Sequence, residues 1–141
     1  MILFCDTSAL VKLYVREEGT DGMVEQAARC DVVAVCRVAW VELMSALARR
    51  TREQPQDAAV LVEARKRFVA DWSHYLKLEV TQELVELAGE YADTFALRAY
   101  DSVQLAAAHL LHREMASGEV RFACFDARLA KAARVMGIEP P

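Results

Sequence analysis

Four acidic residues stand at positions where a carboxylate could take part in chemistry: Asp6, Glu42, Asp101 and Asp126. Asp6 directly follows a short apolar run at residues 2–5 that reads as a buried strand. Asp126 follows a second such run at residues 120–125. The carboxyl ends of strands are where α/β sheets bind ligands. Asp is also a favoured helix N-cap, and a helix-like segment follows each of the two, so capping and function both stay open.

For Asp101 and Glu42, too, both a structural role and a functional role are open. The segment Asp101-Ser-Val-Gln has the form of a capping box with Asp in place of Ser or Thr, so Asp101 could open a helix or belong to a site. Glu42 is the only charged residue in the apolar helical segment 38–48, which predicts a largely buried helix. Because a buried carboxylate without a partner is costly, we expect either an arginine or a bound cation beside Glu42.

These oxygen donors favour a hard divalent cation. The four cysteines and three histidines show no spacing typical of a zinc site or a disulfide framework. Carboxylates suit Mg²⁺ or Mn²⁺, and such an ion can polarise a phosphate and supply a hydroxide nucleophile. Phosphodiester hydrolysis would then need no nucleophilic side chain. Thr7 and Ser8, next to Asp6, could orient that carboxylate or contact a phosphate, and they suit a helix start equally well.

Strand-like and helix-like segments alternate along the chain. Strands are predicted at residues 2–5, 31–35, 76–80 and 120–125, with a short edge strand at 137–139. Helices are predicted at residues 7–15, 20–29, 38–53 and 55–75, and further ones are expected to open at Thr81 and Asp101. This alternation indicates parallel βαβ connections. We therefore expect one α/β domain over residues 1–141, with three layers around a mainly parallel sheet of four to five strands.

Composition limits the classes of function. A chain of 141 residues suits one domain, and no apolar run approaches the roughly 18 residues that span a bilayer, so a cytoplasmic protein is expected. The net charge of −4 argues weakly against a nucleic-acid partner. Basic clusters at residues 49–52, 65–67 and 128–134 could form local positive surfaces that contact RNA, or could be solvated helix surfaces.

Four motifs, in order over nearly the whole chain, resemble PIN-domain proteins, and specifically the VapC-type toxins of bacterial toxin–antitoxin pairs. They are FCDTSALVKLYV from residue 4, WVELMSAL from residue 40, LRAYDSVQLAA from residue 97 and FACFDARL from residue 122. In this resemblance Asp6, Glu42 and Asp101 match the three characteristic acids, and Asp126 matches a more variable fourth. The acid Asp93 matches no motif position.

The resemblance implies an α/β/α PIN-like domain that cleaves RNA with Mg²⁺ or Mn²⁺ bound by the four acids. It also implies a homodimer and a VapB-like antitoxin that occludes the acidic pocket. A dimer agrees with a helix-rich segment more apolar than a domain of this size can easily bury.

Two other acidic-site families fit poorly. A haloacid-dehalogenase-type phosphatase needs a second acid two residues after the first, where this chain has Ser8. A response-regulator receiver needs an Asp at the end of a middle strand, where Cys36 and Arg37 follow Val35. The remaining alternative is a PIN fold that binds RNA or regulates without turnover, and the presence of all four acids weighs against it.

Overall fold

The computed structural model describes all 141 residues and contains four strands and seven α-helices. The strands are β1 (Ile2–Cys5), β2 (Val32–Cys36), β3 (Leu76–Leu78) and β4 (Val120–Ala123). The helices are α1 (Thr7–Leu10), α2 (Thr20–Arg29), α3 (Ala39–Glu53), α4 (Ala58–Asp71), α5 (Gln82–Phe95), α6 (Ala99–Glu114) and α7 (Ala127–Val135). None of these helices combines the length and the apolar character that crossing a membrane requires.

The sheet has the order β3-β2-β1-β4, and every pairing in it is parallel. Phe4 on the central strand β1 is in register with Ala34 on β2 and Phe122 on β4. The predicted parallel sheet is confirmed with four strands. The fifth strand, predicted at residues 137–139, is reduced to one parallel bridge between Arg121 and Glu139. Because all strands run the same way, their carboxyl ends share one edge of the sheet.

Helices cover both faces of the sheet, which confirms the three-layer α/β/α architecture. Successive side chains of a strand point to opposite faces. Leu3 therefore packs into one core, with buried residues of α1, α3 and α4, including Leu43 and Phe68. Phe4 packs into the other, with buried residues of α5, α6 and α7, including Leu105. The two cores hold the strand ends, and the residues that follow them, in fixed positions.

Helix boundaries differ from the prediction in three places. The helix expected at residues 7–15 is α1 followed by a 3₁₀ turn, Val11–Leu13. The helix expected at 55–75 is α4 flanked by two 3₁₀ turns, Pro55–Asp57 and Trp72–His74. The prediction that Asp101 opens a helix is wrong, because α6 begins at Ala99. By contrast, Thr81 does cap α5, as expected.

Helix α3 is less buried than its apolar sequence predicts. Its buried residues are Ala39, Leu43 and Leu47, which lie on one face. Val41 is 57% exposed, and Glu42 is half-buried. The expectation of a largely buried helix is therefore wrong, because only one side of α3 packs into the core. The other side borders an open pocket.

Candidate active site

All four predicted acids line one open pocket of about 830 Å³ at the carboxyl edge of the sheet. Asp6 directly follows β1, and Asp126 follows the end of β4. Glu42 and Asp101 lie in the first turns of α3 and α6. Two strand ends and two helix starts thus bring together carboxylates that are far apart in the sequence.

Asp6 is the most buried of the four acids, with 4% of its surface exposed. Its Oδ1 accepts hydrogen bonds from Ser8 Oγ (2.7 Å) and from the Ala9 backbone N–H (2.9 Å), so Asp6 also caps α1. Burial raises the pKa of Asp6 to about 6; the two hydrogen bonds limit this rise, and the nearby charge of Asp101 adds to it. No cationic side chain forms an ion pair with Asp6. A cation in the pocket would therefore relieve an uncompensated buried charge.

Glu42 is held by neutral donors rather than by an arginine. Its Oε1 accepts hydrogen bonds from Thr7 Oγ1 (2.9 Å) and from Gln104 Nε2 (2.8 Å). Arg50, which lines the same pocket, pairs with Glu17 instead. The partner-arginine alternative is therefore wrong for this structure. Glu42 keeps its charge uncompensated at the edge of the pocket.

Asp101 and Asp126 are each held by one contact. Asp101 Oδ2 accepts a hydrogen bond from Arg98 Nε at 3.2 Å, within the first turn of α6. Asp126 Oδ1 accepts one from the Leu129 backbone N–H at 2.8 Å and so caps α7. Asp126 therefore caps a helix, as Asp6 does, whereas Asp101 does not. In all four acids the hydrogen bonds from N–H and O–H groups reach only one carboxylate oxygen.

The pocket does not form a closed cage for a bare ion, since no three His, Cys, Asp or Glu side chains lie close enough together to hold one. That arrangement still fits Mg²⁺, which usually binds through one or two carboxylates and keeps several waters. The buried, unpaired carboxylate of Asp6 and the absence of sulfur or imidazole donors among the lining residues agree with a hydrated hard cation.

Sequence reasoning missed Gln104, which is 2% exposed and lines the pocket. Its Nε2 donates to both Thr7 Oγ1 (3.2 Å) and Glu42 Oε1, while its buried Oε1 has no hydrogen-bond partner. The spacing of three residues from Asp101 is the signal that could have found it, because residues i and i+3 share a helix face. Gln104 joins α6 to α1 and α3 beneath the pocket.

Only one of the three basic clusters contributes side chains to the acidic pocket. Arg49 and Arg50 line the pocket, whereas no residue of the clusters at 65–67 and 128–134 does. Arg50 is engaged with Glu17, and Arg49 is exposed and forms no ion pair. Arg98 adds a third guanidinium at the pocket, next to Asp101. The positive charge near the acids is therefore small and lies mainly in Arg49 and Arg98.

The chain is similar in sequence to a known domain family and to two named proteins. A family model described as PIN domain matches residues 3–135. "Ribonuclease VapC45" from Mycobacterium tuberculosis (strain CDC 1551 / Oshkosh) is 31% identical over 107 residues, which cover 76% of this chain and 74% of that protein. "Ribonuclease VapC49" from Mycobacterium tuberculosis (strain ATCC 25618 / H37Rv) gives the same values.

Two solved structures share the fold. A "Toxin-antitoxin complex from Klebsiella pneumoniae" superposes with a TM-score of 0.61 at 18% identity, over 89% of this chain and 87% of that one. The "Crystal structure of PAE2754 from Pyrobaculum aerophilum" superposes with a TM-score of 0.65 at 18% identity, over 99% and 83%. At this identity the two structures support the architecture alone.

Proposed function

This chain belongs to the PIN-domain family, and from that premise we propose that it is a metal-dependent endoribonuclease, the toxin of a type II toxin–antitoxin pair. The observation that carries the proposal is the meeting of four carboxylates in one open pocket, with the buried one lacking a counterion. The relatives that are named ribonucleases favour RNA as the substrate. A PIN fold that only binds RNA would have no need of this uncompensated charge.

In the proposed mechanism Mg²⁺ or Mn²⁺ would bind among Asp6, Glu42, Asp101 and Asp126, with one or two of these carboxylates contacting the ion and the others contacting its waters. A bound ion of this kind supplies Lewis-acid activation of a phosphate and of an attacking water. The chain itself supplies orientation, which brings reacting groups together at low entropic cost.

Three neighbouring side chains would fix the acids in place. Ser8 holds one oxygen of Asp6, while Thr7 and Gln104 hold one oxygen of Glu42. These contacts engage the hydroxyls of Thr7 and Ser8 with carboxylates and so favour an orienting role over phosphate binding. Neutral donors keep the charge of Glu42 available, which an arginine would cancel.

Cleavage assays on the purified protein test this proposal. We expect cleavage of structured RNAs in Mg²⁺ or Mn²⁺, no cleavage in excess chelator, and recovery when the metal is added back. Binding without cleavage under any of these conditions would favour the non-catalytic alternative. Cleavage that continues unchanged in excess chelator would contradict a metal mechanism.

We also propose two protein partners, a second copy of this chain and a VapB-like antitoxin. The solved relative whose title describes a toxin–antitoxin complex supports the second. Several valines on α3 and α4 are strongly exposed, including Val41, Val60 and Val62, and these could be covered in an assembly. We expect a light-scattering mass of two chains at micromolar concentration without antitoxin. A mass of one chain would contradict the dimer.

A further inference from the structure

Phe125 is an unusually exposed aromatic residue for its position beside the acids. Among the phenylalanines, tyrosines and tryptophans, only Phe125 (51%) and Tyr100 (56%) are strongly exposed, and both line the acidic pocket. An exposed ring loses the free energy that burial would provide, so its placement at the pocket needs a reason. The remaining exposed apolar residues are aliphatic and are scattered over other surfaces, apart from Val41.

The ring of Phe125 rests on a support built from two residues far away in the sequence. Lys12 Nζ lies 4.4 Å from the ring centroid, a cation–π distance. That ammonium group is itself held by Glu17 Oε1 (2.9 Å) and by the Glu18 carbonyl (2.7 Å). A charged group that is held in this way fixes the ring from one side. The ring is therefore positioned before any ligand arrives.

Gly19 completes this support. Its φ of 88° lies in the left-handed region, and a Cβ at this position would come within 2.9 Å of Phe125 Cε1 and 3.3 Å of Lys12 Cδ. Glycine thus serves two needs here, the backbone turn and room for the ring. Any side chain at Gly19 would push the aromatic ring out of its place.

The backbone of Phe125 is coupled to the candidate metal site. Its N–H donates to Ser8 Oγ at 2.9 Å, and the same hydroxyl donates to Asp6 Oδ1. The backbone that carries the ring is therefore linked to the most buried acid through a single intervening hydroxyl. A phosphate bound through a cation at Asp6 would lie in the pocket that Phe125 also lines, where the ring could stack on a neighbouring base.

We propose that Phe125 is a stacking platform that selects RNA with an unpaired base next to the scissile phosphate. Exposed aromatic side chains bind single-stranded nucleic acid by stacking on its bases, with little dependence on which base is present. Exposed Arg49, which lines the same pocket without an ion pair, would contact the adjoining backbone. Bases paired in a duplex are already stacked on their neighbours, so a continuous duplex would be a poor substrate. This inference rests on the proposed ribonuclease function and adds a specificity residue to it.

Three variants of Phe125 test the platform with a short, fluorescently labelled single-stranded RNA. We expect Phe125→Ala and Phe125→Leu to raise KM about tenfold or more, and Phe125→Trp to restore it, because only the ring can stack. An exposed apolar residue outside the pocket supplies the control, and Val135→Ala should behave as wild type. A wild-type KM for Phe125→Leu would overturn the proposal.

Abasic substrates make the test specific to the base. Removing the base next to the cleaved bond should raise KM for wild type by about the same factor as Phe125→Ala does. It should add little to the KM of Phe125→Ala itself, since the stacking partner is already gone. Equal losses in both proteins would show that Phe125 does not contact that base.

Measurements of RNA binding distinguish a failure of the stacking platform from a failure of the proposed ribonuclease function. Fluorescence anisotropy in the Asp6→Asn background measures RNA affinity without turnover, with and without Phe125→Ala. Weaker binding on loss of the ring would support the platform even if the wild type proved unable to cleave RNA. Equal binding by both proteins would overturn the platform, even in a protein that cleaves RNA with metal.

Discussion

Replacing Asp6 with Asn should lower the rate of metal-dependent RNA cleavage by at least about a hundredfold. Even residues outside the first coordination sphere of a metal typically contribute ten- to a hundredfold, and a ligand contributes more. Asn can still accept the hydrogen bonds from Ser8 and from the Ala9 N–H, so the cap of α1 survives while the charge is lost. The variant therefore changes the candidate metal site more than the fold.

The matched control for that variant is Asp93→Asn. Asp93 is exposed on α5 and does not line the pocket, so its loss should leave the cleavage rate within about twofold of wild type. Initial rates on one labelled RNA at saturating Mg²⁺ compare the three proteins. Cleavage by Asp6→Asn at the wild-type rate would remove Asp6 from the proposed mechanism.

In the absence of divalent metal, Asp6→Asn should be more stable than wild type at pH 7, by about 3 kcal/mol at most. Burial raises the pKa of Asp6 from 3.8 to about 6, and each unit of such a shift corresponds to about 1.4 kcal/mol. Below about pH 4 the carboxyl group is protonated in both folded and unfolded chains, so its ionisation costs the folded state nothing. Between about pH 4 and pH 6 the unfolded chain releases this proton first, so stability falls as the pH rises.

Urea unfolding at pH 4, 5, 6 and 7.5 measures this effect as the difference in the free energy of unfolding between wild type and Asp6→Asn. The difference should be small at pH 4, should grow up to about pH 6 and should stay constant above it. Adding Mg²⁺ at a hundred times its dissociation constant should stabilise wild type by about 2.7 kcal/mol and the variant by less. A difference that does not change with pH, or an equal response to Mg²⁺, would contradict the presence of an uncompensated Asp6 at a metal site.

The sheet and two of the acids could be predicted because they depend on local sequence. Apolar runs such as Ile2–Cys5 mark strands, and alternation with helices implies parallel connections. A parallel sheet then brings the residues after its strands to one edge, which places Asp6 and Asp126 together. The same reasoning misplaced the start of α6, because the capping-box pattern at Asp101 predicts a helix start there. The N-cap position is instead Arg98, three residues earlier, where the backbone is extended.

The partners of these acids could not be predicted, because they come from distant parts of the chain. Gln104 and Glu42 are 62 positions apart, and only the packing of α6 near α3 brings them into contact. Phe125 meets Lys12 and Gly19 for the same reason. A single sequence indicates which residues could be chemically active, whereas the residues that orient them depend on tertiary packing.

Calorimetric titration of Mn²⁺ into the metal-free protein measures whether the acidic pocket binds the divalent cation that RNA cleavage would need. Wild type and Asp93→Asn should bind Mn²⁺ with the same affinity. Asp6→Asn should bind it at least about tenfold more weakly, because the most buried carboxylate of the pocket has lost its charge. Wild-type affinity in Asp6→Asn, or no binding to any of the three proteins, would contradict a divalent-cation site that includes Asp6.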